Sequence, residues 1–131
     1  MMGIPKKELS MNWAIVYPRV QQMLGMDLQS ISGKANIQLL SVDSTNYLVR
    51  RQDGVEVLRR TEELQTLAEA MQPDTPLHVD STLGGSGSSR SHPETILANL
   101  PDVEWLLVNN RKNILWIGQD SHALGTLLQN G

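Results

Sequence analysis

The stretch from Tyr47 to Arg60 constrains this chain more than any other. Its apolar and polar residues alternate on both sides of Gln52-Asp53-Gly54. A period of two places successive side chains on opposite faces of a strand, so the segment predicts a β-hairpin. The register can be argued from the sorting alone. A two-residue Asp-Gly turn pairs Gln52 with Val55 and Val49 with Leu58, and it mixes arginines with apolar residues on one face. A three-residue loop, a type I turn with Gly54 left-handed, pairs Arg51 with Val55 and Val49 with Val57. Tyr47, Val49, Val55 and Val57 then share one face, and Arg50 lies across from Glu56 as an ion pair. Register follows the apolar pattern, so the second arrangement is expected.

The remaining elements fall around that hairpin. Asn36 to Val42 predicts a strand before it, joined through the turn residues Asp43-Ser44-Thr45-Asn46. From about Leu9 to Leu24, Trp13, Val16, Tyr17, Val20, Met23 and Leu24 recur at helical spacing. Pro18 predicts a kink or a fresh start there, and Gly25 a stop. Thr61 to Met71 is the clearest helix: Thr61 as N-cap, Glu62 and Glu63 at the positive end, and Leu64, Leu67, Ala68 and Met71 in one stripe. Pro73 and Pro76 close it. Leu77-His78-Val79 reads as a short strand leading into the Gly/Ser-rich run 84–90. Ser91 with Glu94 matches a capping box for a short helix through Leu100.

A second hairpin is predicted from Val103 to Val108 and Ile114 to Ile117. A two- or four-residue loop is expected to set Trp105 opposite Trp116 and Leu107 opposite Ile114. Both faces are then apolar, and a last short helix, about Ser121 to Gln129, follows. The stretches Leu39–Asp53 and Leu106–Asp120 align without a gap, which a duplication or two hairpins of similar composition would explain. The expected architecture is α+β, in the order α-βββ-α-(short β/loop)-α-ββ-α, with antiparallel strands packed by helices.

Composition enters as a set of exclusions. The chain has 131 residues with 40% hydrophobic and 19% charged residues, which suits one domain at 1–131 with a core of its own. The absence of Cys removes disulfide scaffolds, thiol nucleophiles and thiolate metal sites. Apolar runs are short, so no membrane partner is expected. Met1–Gly3 lead into Lys6-Lys7 with no apolar segment behind them, so no export signal is expected and a bacterial-type cytoplasm is. A formal charge of −3 argues against unspecific nucleic-acid binding, though not against a local basic patch.

No catalytic constellation is expected, and no cofactor or metal. His78 and Asp80 with His92 or His122 offer too few converging ligands. Asp120-Ser121-His122 are neighbours at a helix start and do not face one another. The run Gly84, Gly85, Ser86, Gly87, Ser88 and Arg90 is a candidate anion-binding loop at a helix start, without the Gly-Lys-Ser/Thr of a P-loop. Eight of the eleven basic residues come as adjacent pairs: Lys6-Lys7, Arg50-Arg51, Arg59-Arg60 and Arg111-Lys112. Arg50, Arg51, Arg59 and Arg60 are the candidate nucleic-acid contacts, with Glu56, Glu62 and Glu63 close enough to neutralise them. Trp105, Leu106, Val108, Leu115, Trp116 and Ile117 are the candidate interface residues of a homodimer or a protein complex.

Two likenesses of element order bear on function. Helix, three strands, helix resembles a double-stranded-RNA-binding domain, whose second helix begins with a lysine-rich motif. Thr61-Glu62-Glu63 stand there instead, a departure from that family. The whole order is similar to type III secretion chaperones, which implies a homodimer holding an unfolded protein. The expected function is a self-associating, non-catalytic binding or adaptor module. The alternatives are a nucleic-acid module using the arginine hairpin and a phosphate-ligand enzyme at the Gly-rich loop.

Overall fold

Asn12 opens the first helix, its side chain accepting a hydrogen bond from the Ala14 amide at 2.9 Å. That satisfies one of the amides a helix start leaves unpaired. The helix, α1 (Trp13–Gln22), buries Val16 and Val20. It runs through Pro18 as one element, with no fresh start. Ala14 and Pro18 both lie on the exposed side, where water can take the carbonyl that the proline leaves unpaired. The computed structural model describes residues 11–84 and 91–131.

A four-stranded antiparallel sheet follows, in the order β1 (Asp27–Leu28), β2 (Ile37–Val42), β3 (Asn46–Arg51), β4 (Glu56–Arg60). The two residues of β1 pair with Gln38 and Ile37, too short a run to show as a period in sequence. The β3–β4 hairpin has the register argued above, with Val49 opposite Val57 and Arg50 opposite Glu56. The Arg51 amide donates to the Val55 carbonyl at 2.8 Å. Gly54 sits at φ +86°, where any other L-residue is strained. Ile37, Leu39, Tyr47 and Val49 turn their side chains into the core, and Leu58 on the outer face stays exposed.

Helix α2 (Glu62–Ala70) packs Leu64, Leu67 and Ala68 on that core. Thr61 is not a side-chain cap. Its hydroxyl donates to the Asp43 carbonyl at 2.8 Å and ties the helix start to the β2–β3 turn. The strand expected at Leu77–Val79 shrinks to one bridge between Leu77 and Ile114, and Val79 begins a short helix, α3 (Val79–Leu83). Helix α4 (Ser91–Ala98) is buried from His92 to Ala98. Ser91, expected as its cap, is already helical. The helix packs against α2 and against the base of a two-stranded ribbon, β5 (Val103–Val108) and β6 (Arg111–Trp116).

The ribbon's register differs from the expected one by two residues. Trp105 faces Ile114 and Trp116 faces Val103, so the Trp pair across the strands does not form. Asn109 and Asn110 alone make the turn, at φ 52° and 64°, the type I′ geometry whose twist matches a β-ribbon. The gapless likeness of the hairpins does not extend to their pairing. Leu39 pairs with Val49, whereas its counterpart Leu106 pairs with Asn113, the counterpart of Asn46.

Residues 121–129 form turns and one β-bridge in place of the expected helix. Gly125 stands mid-segment at φ +81°, outside helical geometry, and the open edge of β5 offers the backbone other partners. The Trp105 amide donates to the Leu128 carbonyl at 3.0 Å, and the Asn130 amide to the Trp105 carbonyl at 2.8 Å. The class is α+β with antiparallel sheets and packed helices. Among the described residues no helix is long and apolar enough to cross a membrane.

Candidate nucleic-acid interface

The ribbon is held at its base and free at its tip. Val103, Glu104, Asn113, Ile114 and Leu115 are buried, whereas every residue from Leu107 to Lys112 is exposed. Both edges are pinned near the base. The 128–130 segment bonds to β5 at Trp105, while the Leu77 and Ile114 backbones exchange hydrogen bonds of 2.8 and 3.0 Å on the β6 side. The Trp116 indole also donates to Asp102 at 3.1 Å. Six exposed residues therefore project from an anchored stem.

The neighbouring carboxylates do neutralise the first hairpin, as expected of Glu56, Glu62 and Glu63, and Asp53 joins them. Each arginine of the first hairpin has a carboxylate partner: Arg50 with Glu56, Arg51 with Asp53, Arg59 with Glu63 and Arg60 with Glu62. Arg59 is the most enclosed, its side chain 15% accessible. Its guanidinium grips both oxygens of Glu63 at 2.6 Å, and the fully buried Tyr47 hydroxyl donates to the same carboxylate at 2.7 Å. The bond to Glu63 raises the Arg59 pKa. Burial first, then the Glu63 charge, pushes the Tyr47 phenol far above its ordinary value. Arg59 is thus a structural ion, because odd-numbered positions of β3 and β4 face the core. Among the described residues Lys34, Arg111 and Lys112 make no ion pair, and two of these three stand at the ribbon tip.

A second basic region is weaker. A cleft of about 440 Å³ is lined by Lys34, Asn36, Arg51, Asp53, Ser91 and His92. Asp53 holds Arg51, and burial, then Arg59 and Arg51, lowers the His92 pKa, so the imidazole adds no charge near neutrality. Beyond it on α4, Glu94 is pushed up to about 7 by burial, with Asp80 reinforcing and Lys112 opposing. Of the candidate anion loop, Gly84 is exposed at φ +68°. Gly85, Ser86, Gly87, Ser88 and Arg90 lie outside the described residues.

The candidate interface residues divide along the ribbon. Leu115 is buried, Trp105, Leu106, Trp116 and Ile117 are half-buried, and Val108 is exposed. The chain itself covers much of the surface that sequence left open. His78 bonds to Ser81 and His122 to the Val103 carbonyl. Among the described residues no three His, Asp or Glu side chains are grouped to hold a metal ion. Sequence reasoning noted Arg111-Lys112 only as one basic pair among four. The signal that raises it is Asn109-Asn110, a favoured type I′ pair directly before it.

The chain is similar to the type II restriction enzyme NmeDI of Neisseria meningitidis serogroup C, 24% identical over 110 residues. The match covers 73% of this chain and 31% of that enzyme, so the chain spans about a third of this relative's length. No family description matches the chain, and no solved structure does.

Proposed function

We propose that this chain is a nucleic-acid-associating module whose contact surface is the tip of the β5–β6 ribbon. One observation carries the reading: among the described residues Arg111 and Lys112 make no ion pair, and they stand on an exposed, anchored projection. A phosphate reaching Arg50, Arg51 or Arg60 meets a carboxylate already on the guanidinium, whose charge opposes it. At the tip no described carboxylate lies within ion-pair distance, Glu94 acting on Lys112 only from farther off on α4, and release of counterions favours binding. The similarity to a restriction enzyme, a protein whose name implies action on nucleic acid, supports the same direction.

Fluorescence anisotropy with a labelled DNA duplex across a salt series tests this. Binding is expected to weaken steeply with salt. The double variant Arg111→Ala, Lys112→Ala is expected to reduce the log–log slope by roughly two. Unchanged slope and affinity in that variant would place the contact elsewhere. The arginine hairpin is then the next surface, with Arg50→Ala, Arg60→Ala as its probe.

The adaptor reading, in which this ribbon joins two copies or a protein partner, is supported by Leu107 and Val108, 53% and 36% exposed at the same tip. Light scattering separates the two. A dimeric mass that Leu107→Asp converts to monomer, without loss of fold, favours self-association.

A further inference from the structure

The ribbon tip carries more than charge. Asn109 and Asn110 occupy its turn at φ 52° and 64°, the positive-φ backbone of a type I′ turn. Neither amide takes part in a hydrogen bond among the described residues. A free amide matches the adenine edge in a DNA major groove, where N7 accepts and N6 donates. Two antiparallel strands lie about 5 Å apart. With side chains they fill a major groove of about 12 Å and exceed a minor groove of about 6 Å. Arg111 pairs across from Val108 and Lys112 from Leu107, so the two cations stand on opposite faces of the ribbon. A ribbon entering tip first turns one cation toward each phosphate wall and its two amides toward the base edges.

We infer that the β5–β6 tip enters the major groove of B-form DNA, where Asn109 and Asn110 read adenine edges while Arg111 and Lys112 hold the two phosphate backbones. This rests on the proposed function and deepens it. It commits to DNA, since the major groove of duplex RNA is too deep and narrow for side chains to read. It also separates the roles of four adjacent residues. Two set sequence preference, and two set affinity for any duplex.

The test is selection of a randomised DNA duplex library on the whole chain, repeated with Asn109→Gly, Asn110→Gly. Glycine adopts positive φ freely, so this variant removes both amides and keeps the turn. An unchanged melting temperature checks that. The parent is expected to enrich an adenine-containing sequence bound about tenfold tighter than a scrambled duplex. The double variant is expected to lose that preference and keep the salt slope. Replacing the selected adenines by 7-deazaadenine, which lacks the groove acceptor, is expected to cost the parent about tenfold and the variant nothing. Enrichment that survives in the variant, or no enrichment by a parent that binds DNA, would overturn the inference and leave the proposed function standing. Loss of preference together with loss of salt slope, in a folded variant, would also overturn it, because the amides would then serve phosphate binding alone. Absence of any DNA binding by the parent would remove both.

Discussion

Glu63 is the residue on which most polar chemistry of the inner sheet converges. It takes a charged donor from Arg59 and the hydroxyl of the buried Tyr47. Glu63→Ala leaves a mostly enclosed guanidinium and a buried phenol without their acceptor, and is expected to destabilise by about 2–4 kcal/mol in denaturant unfolding. Tyr47→Phe removes one hydrogen bond and its donor together, so about 1 kcal/mol is expected. Glu94 works the other way, because its carboxyl is buried with a pKa pushed up to about 7 from 4.5. Below about pH 4.5 it is protonated whether the chain is folded or not. As pH rises from there, the unfolded chain gives up the proton first, and stability falls until the folded carboxyl also ionises near pH 7. Glu94→Gln is therefore expected to stabilise by roughly 3 kcal/mol at pH 8, an advantage that fades toward pH 4.5. Equal differences at both pH values would show that its burial costs nothing. His92 adds the opposite slope. Its lowered pKa means stability is lost as pH falls below the ordinary histidine value of 6.5, where only the unfolded chain charges readily.

The two hairpins differ in how their turns fix them. Gly54 stands at φ +86° with open space where a Cβ would go. Gly54→Ala is thus opposed by backbone strain alone, about 1 kcal/mol in a thermal melt. Asn110→Gly is expected to be neutral or mildly stabilising, since glycine suits a type I′ turn at least as well. The same contrast explains what sequence could show. In the first hairpin the competing registers differ by one residue, and a slip of one sends apolar side chains to the wrong face. In the second they differ by two. Every side chain then keeps its face, so Trp105 opposite Trp116 and Trp105 opposite Ile114 look alike to a periodicity argument. Only the preference of Asn-Asn for positive φ decides. Residues 121–129 carry leucines that suit a helix, but β5 lies beside them with unpaired backbone groups, and no local pattern reports that edge. The candidate site was half legible for a similar reason. Basic pairs can be counted in a sequence, whereas which of them meets a carboxylate depends on strand pairing and on the first turn of α2 bringing Glu63 beside Arg59 at the end of β4.

Across the whole molecule, the described core joins the inner face of the four-stranded sheet to the ribbon through α4. The tail at 128–130 completes the ribbon's outer edge through bonds to Trp105. Deleting residues 127–131 uncovers that edge and withdraws Leu127 from the core. A lower melting temperature and concentration-dependent aggregation are expected, both visible by light scattering on heating. The helix between the two sheets has a further consequence, for time and not for energy. With its residues enclosed from His92 to Ala98, α4 has no water-facing side from which to fray, and no local opening frees its amides without parting α2 from the ribbon. In deuterium oxide these protons should be the last of the chain to exchange, at a rate set by global unfolding alone. The ribbon tip should meanwhile take up deuterium early, so that one molecule keeps a slow clock at its centre and a fast one at its point.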